Sequence, residues 1–181
     1  DMARNEGGPN RRHRPEERKE FDQRILELAR VTRVTKGGKR MRFRAAVIIG
    51  DRKGRVAFGV AKGGDVTISV NKAVVQAKKH LFTVPIVNET IPHIVDQKFS
   101  AASILLKPAP RGTGIKAGGA VRVVLELAGV PNVVAKILGS GNKINNAKAT
   151  MLALKRLKLK KKSVETSAAE AAAPAEAPAT A

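Results

Sequence analysis

Six basic side chains stand within a dozen residues around a glycine pair. They are Arg33, Lys36, Lys39, Arg40, Arg42 and Arg44, beside Gly37-Gly38 in the run RVTKGGKRMRFRAAVIIGD, and no acid lies among them. Guanidinium and ammonium groups at this density suit phosphate oxygens. A thin glycine hairpin can enter a groove between RNA helices and bring its N–H groups and cationic heads to the backbone. The competing reading is a charged edge strand that prevents sheet-to-sheet pairing. Edge protection needs one or two charges, so RNA contact is the expectation. Arg52, Lys53 and Arg55 in the next turn extend the candidate RNA-binding set. So do Lys62 before Gly63-Gly64, and Lys72, Lys78 and Lys79 further on.

Residues able to do covalent chemistry are thin. His13, His80 and His93 are isolated, with no metal-ligand spacing. Asp51 and Asp65 fall in turns, a sufficient reason for aspartate. Glu126 has Arg122 as a helical i,i+4 partner. No nucleophile has a base nearby, so no catalysis and no metal are expected. The absence of cysteine excludes disulfides and thiolate sites. The loop GTGIKA (112–117) formally matches G-x-G-x-x-A. However, Pro108 and Pro110 separate it from the preceding strand, and no acid follows at the ribose-binding distance. A glycine-rich cap that lets backbone approach RNA or a neighbouring protein is the better reading, and no cofactor is expected.

The totals agree with a polyanion partner. Lys and Arg number 35 against 15 Asp and Glu, for a net charge of +20 and a pI near 11.0. The excess is spread along the whole chain. With 43% hydrophobic residues, five Phe and neither Trp nor Tyr, a core must be aliphatic. No stretch approaches a membrane span and no signal peptide opens the sequence, so a cytosolic protein is expected. Asp1 is not an initiator Met, which points to trimming or a start partway into the gene product.

These side chains need elements to position them. Residues 1–20 read as a flexible basic arm, and 161–181 as a disordered Ala/Pro/Glu tail. Between them, Phe21, Ile25 and Leu28 recur at helical spacing, which predicts a short helix over 20–30. Val31–Thr35 reads as a strand and Gly37-Gly38 as a turn. In 41–49, Met41, Phe43, Ala45, Val47 and Ile49 alternate with Arg42 and Arg44, a strand whose Met/Phe face would enter the core. A third strand covers 55–61. A helix after Gly63-Gly64-Asp65 buries Val66, Val70, Ala73, Val74, Ala77 and Leu81. This α-β-β-β-α order over 21–84 is that of a double-stranded-RNA-binding module, which reads A-form shape. A second domain, 85–160, has short strands at 91–95 and 103–107. The Pro/Gly loop follows, and then a segment 120–128 that fits strand or helix. Gly129 favours the helix. A strand at 133–138 and a helix at 145–158 complete it. The class is α+β.

Three long motifs, in order, resemble a known family: KGGKRMRFRAAVIIGDRKGRVAFGVAKGGDV, VNKAVVQAKKHL, and PAPRGTGIKAGGAVRVVLELAGVPNVVAKILGSGNKINNAKATMLALKRL. Together they resemble bacterial small-subunit ribosomal protein five over about residues 20–158. The resemblance implies two α+β domains. The first is double-stranded-RNA-binding-like and the second is a two-layer α/β sandwich with a left-handed crossover. It implies a place at the head–body junction of the small subunit, bound to ribosomal RNA and to ribosomal proteins four and eight. A role in translational accuracy, near the messenger entry channel, goes with that place. By position, Lys36–Arg44 matches a loop reaching RNA near the spectinomycin site. Gly112, Thr113, Gly114 and Arg122 match the boundary with protein four, and 145–158 the side facing protein eight. AKGGDV departs from the family's more common single glycine. Two other classes fit the residues alone: a ribonuclease P-like subunit, and a free double-stranded-RNA-binding regulator.

Overall fold

The computed structural model describes residues 20–159. The expected tail, and the expected arm except Glu20, lie outside the described residues. Among the described residues, two four-stranded sheets and three helices form the fold. The first sheet has the order β1 (Asp22–Thr35), β2 (Gly38–Gly50), β3 (Arg55–Gly63), β4 (Phe82–Thr83), with every pairing antiparallel. Helix α1 (Val66–Lys78) follows β3. Its N-cap is Asp65, whose carboxylate accepts the Val66 N–H at 2.7 Å.

The expected first helix is instead a strand, so the first domain runs β-β-β-α-β among the described residues. The cause is a bulge. Register slips between Ile25 and Glu27, leaving Leu26 unmatched. Ile25 opposes Val47 and Leu28 opposes Ala45, so residues three apart share one face. A bulge in a period of two thus imitates the spacing of a helix. Ile25 and Leu28 remain about half exposed along this outer strand.

Both faces of β2 are used over Ala45–Gly50, where every residue is buried. The Val47/Ile49 face packs under α1; at Gly59, which opposes Val47, a side chain would overlap the backbone of Ala73. The opposite face, with Ile48, Gly50, Val56 and Phe58, turns toward the second domain.

That domain has the order β5 (Val95–Phe99), β6 (Ala102–Pro108), β8 (Val133–Ile137), β7 (Ile115–Lys116). Strands β7 and β8 are parallel, joined through α2 (Gly119–Ala128); α3 (Lys143–Arg156) closes the fold. The ambiguous segment 120–128 is thus the helix that Gly129 favoured. The strand expected at 91–95 begins only at Val95. Pro92 has no N–H for a ladder, and Ile91 is buried from a loop. Helix α3 buries Ala147, Ala149, Met151, Ala153 and Leu154. One continuous aliphatic core runs through both domains.

The seam between them is a turn seated on a helix end. The last carbonyls of α2 lack intrahelical donors. Arg52 N–H donates to Leu127 O at 3.0 Å, and Gly54 N–H to Ala128 O at 2.9 Å. Asp51 builds the turn. Its Oδ1 accepts the N–H groups of Lys53 (2.8 Å) and Arg55 (3.0 Å), and its Oδ2 accepts Arg55 Nε (2.7 Å). Burial works to raise the Asp51 carboxyl. The Arg55 guanidinium and the two backbone donors outweigh it and hold the group below the usual aspartate range. A carboxylate favoured by the fold adds stability above its unfolded value of about 4, and loses it as pH falls through the lower folded value. Asp51→Asn is therefore expected to cost about 1 kcal/mol at pH 7. The gap to the native chain should narrow as pH falls from the unfolded value of about 4 through the lower folded one, as read by thermal melts across pH.

Candidate nucleic-acid interface

The first hairpin outgrows its sheet. Pairing between β2 and β3 stops at Phe43–Gly63, but β1 and β2 continue paired to Thr35–Gly38. Residues 38–42 therefore carry a two-stranded ribbon about 17 Å beyond the third strand, at roughly 3.4 Å per residue. Gly38 closes the turn with φ +123°, a conformation that suits glycine, and Thr35 Oγ1 donates to Gly38 O at 3.0 Å.

Register sorts the ribbon's side chains. Arg33 opposes Arg40, Val31 opposes Arg42, and Arg44 opposes Lys62. Directly opposed like charges destabilise a sheet, so this arrangement costs the free fold. Arg44 is relieved by Glu27, at 3.2 Å, in a half-buried pair. Among the described residues, Arg33, Arg40, Arg42 and Lys62 have no acid in ion-pair range. With Val31 and Thr35 these four line a hollow of about 480 Å³. They lie on the sheet face that the second domain covers at the Gly50 end and leaves bare here. Lys36, Gly37 and Lys39 complete the exposed tip.

The other face of the ribbon corrects an expectation. Met41 does not enter the core; it is 52% exposed, and Val34 on the same face is 72% exposed. The alternation is correct, but beyond Phe43 neither β3 nor α1 remains to cover it.

The rest of the sequence-derived RNA set is not brought together with the hairpin. Arg52, Lys53 and Arg55 occupy the turn at the opposite end of the sheet. Arg52 pairs with Asp22 at 2.9 Å; Arg55 pairs with Asp51 at 2.7 Å and stacks over Phe21 at 5.1 Å. Lys72, Lys78 and Lys79 are exposed on or just past α1, which lies across the other sheet face.

The second candidate surface is the loop 108–114 with the start of α2. Gly112 (φ +86°) and Gly114 (φ +71°) are both left-handed. The dinucleotide geometry is absent. The loop leads into the two-residue β7, and the Gly114 N–H is already donated, at 3.0 Å, to Asn132 Oδ1. Arg122 is exposed; its Nη2 reaches Ile115 O at 3.4 Å, and its Nε lies 3.5 Å from Glu126. Glu126 also takes Arg24 of β1, at 3.1 Å.

Asn132 was not singled out from the sequence, yet it holds this loop. It is 5% exposed. Its Nδ2 donates to Glu89 O at 3.3 Å, and its own carbonyl accepts Thr90 Oγ1 at 2.7 Å. Thr90 Oγ1 in turn accepts the Ala109 N–H at 3.1 Å. The buried side-chain amide thus ties Gly114 to Glu89, while the Asn132 backbone carbonyl, through the Thr90 hydroxyl, holds the Ala109 end of the loop. The one available signal was a polar residue after Pro131, immediately before an apolar strand.

Two protein-family models match the chain, in the order of its two sheets. Ribosomal protein S5, N-terminal domain, matches residues 21–85, and ribosomal protein S5, C-terminal domain, matches residues 97–168. Between them they take in both candidate surfaces and most of the chain. A bare cationic ribbon on a doubly packed aliphatic scaffold suits a polyanion partner. The chain belongs to the ribosomal protein S5 family, a structural, non-enzymatic component of the small ribosomal subunit in the cytoplasm, bound to ribosomal RNA and to other ribosomal proteins.

Proposed function

We propose that the chain braces the junction between the head and body of the small subunit. Its hairpin, Arg33–Arg44, enters ribosomal RNA of the neck. Gly112, Thr113, Gly114 and Arg122 form the boundary with ribosomal protein four, and the 145–158 segment faces ribosomal protein eight. The messenger entry channel lies near, and the brace contributes to translational accuracy. The supporting observation is the ribbon's register: Arg33 opposite Arg40 and Arg42 free of acids beyond the edge of the packed sheet, with Lys62, also free of acids, at that edge opposite Arg44. That repulsion is relieved by phosphates converging on the ribbon. Lys72, Lys78 and Lys79 would meet a second phosphate track across the other sheet face. Lys53 remains a weaker candidate, and Arg52 and Arg55 are weaker still because each already holds a carboxylate.

The test uses the full chain and small-subunit RNA. Arg33→Ala/Arg40→Ala/Arg42→Ala should weaken binding and make the salt slope shallower by roughly two to three, about 0.7–0.9 per lost phosphate contact. An unchanged slope would overturn the hairpin's role.

A further inference from the structure

The second sheet has one face under α2 and α3 and one face bare. Register fixes what the bare face carries. On β8, Val134 opposes Lys107 of β6 on one side and Lys116 of β7 on the other. Two residues along β8 on the same face, Lys136 opposes Leu105, and Leu105 opposes Asp96. Three lysines therefore surround Val134. Lys107 and Lys116 are each one strand spacing from it, and Lys136 is diagonal to both. All three are exposed, as is Val134 at 36%. Among the described residues none of the three has a carboxylate in ion-pair range. The face's own acid, Asp96, lies two strands from Lys136 and takes Ser103 Oγ at 3.4 Å.

A solvated sheet face ordinarily sets opposite charges across from one another. This one clusters one sign around an apolar centre. We propose that the Lys107–Lys116–Lys136 face of the second sheet is a separate binding surface for single-stranded RNA. The lysines take backbone phosphates, and Val134 with Leu105 receives a ribose or base face. A duplex presents phosphates but keeps its base faces stacked inside, so the apolar centre favours a single strand. The surface lies on a different sheet from the hairpin, and the proposal stands whether or not the hairpin holds neck RNA.

The experiment measures the full chain against a twelve-nucleotide oligouridine and against an RNA duplex, over a salt series. Lys107→Ala/Lys116→Ala/Lys136→Ala should weaken oligouridine binding about tenfold or more and make its slope shallower by roughly two. Duplex binding should hold within about twofold. Val134→Ser should weaken oligouridine binding with no change in slope, because it removes no charge. The hairpin triple variant should show the reverse pattern, losing duplex binding and keeping the oligouridine slope. Circular dichroism confirms that the exposed substitutions leave the fold intact. An oligouridine affinity and slope unchanged in the lysine variant would overturn the proposal. So would a variant that binds both RNAs normally but fails to retain a neighbouring ribosomal protein in assembled subunits; that would make the face a protein contact.

Discussion

Gly129→Ala is expected to destabilise the chain by about 3 kcal/mol and to lower its melting temperature by roughly 6–12 °C. Two costs coincide at this position. Gly129 ends α2 with φ +77° and donates its N–H to Leu125 O and Glu126 O, a left-handed cap that a β-carbon strains. The added methyl would also overlap the backbone carbonyl of Arg52. Backbone cannot rotate aside as a side chain can. Relief would require the 51–54 turn to lift from α2, breaking the Arg52–Leu127 and Gly54–Ala128 hydrogen bonds. Gly50→Ala tests the same seam without the dihedral cost, since its methyl would overlap the Leu127 backbone. The two losses should not add, because either one parts the same contact. Gly64→Ala is the control; nothing lies within 4 Å of the position its methyl would take. If Gly129→Ala melts within about 1 °C of the native chain, the seam is not what joins the two sheets.

That seam also shows what a linear reading of the chain can and cannot recover. Gly129 was legible as the end of a helix, because helix caps are local. Its second role, admitting a turn from residue 52, depends on a contact between distant segments and leaves no local trace. The same division holds elsewhere. The α+β class, the hairpin at Gly37-Gly38 and the existence of α1 and α3 follow from periodicity and turn chemistry, and all are present; of the face expected for α1, Ala73 and Ala77 are buried, Val66, Val70 and Val74 are half-buried, and Leu81 lies past the helix end. The strand at 22–35 was not legible, because a single bulge at Leu26 places Ile25 and Leu28 at the spacing of a helix. Met41 had the correct alternation and the wrong environment. Alternation says which side a residue takes, and only the length of the neighbouring strand says whether that side is covered. The charges of the hairpin were plain in the sequence. Their opposition, Arg33 to Arg40 and Arg44 to Lys62, required the register. The same is true of Lys107, Lys116 and Lys136, whose separations in sequence hide a common face.

Asn132→Leu is expected to cost about 2 kcal/mol and to free the Gly114 end of the loop while the sheets stay folded. The substitution keeps the side chain's approximate size and removes both of its bonds. The Gly114 N–H then loses its acceptor, and Glu89 O loses the Nδ2 donor. Gly114 is only half buried, so water partly satisfies its N–H and the loss stays below that of a sealed core. Amide hydrogen exchange should show this as faster exchange around Gly114, with little change at Ala109 or in β6 or β8. Asn132→Asp separates the two bonds. It keeps an acceptor for Gly114 and loses the Nδ2 donor to Glu89 O, which retains the Asn132 backbone N–H at 3.2 Å, so the loop should hold near Gly114 and 87–90 should loosen only slightly. The functional consequence follows from the proposed boundary with ribosomal protein four. If the loop holds that boundary as proposed, loosening it should raise near-cognate misreading in Asn132→Leu. Arg122→Ala should raise it as well, by a different route. Its pair with Glu126 is exposed and worth at most about 1 kcal/mol, so the fold is kept and only the surface changes. Misreading that stays at the native level in both variants, with subunits assembled normally, would remove this loop from the accuracy mechanism. A rise with Arg122→Ala alone would keep the surface and dismiss the order of the loop as its cause.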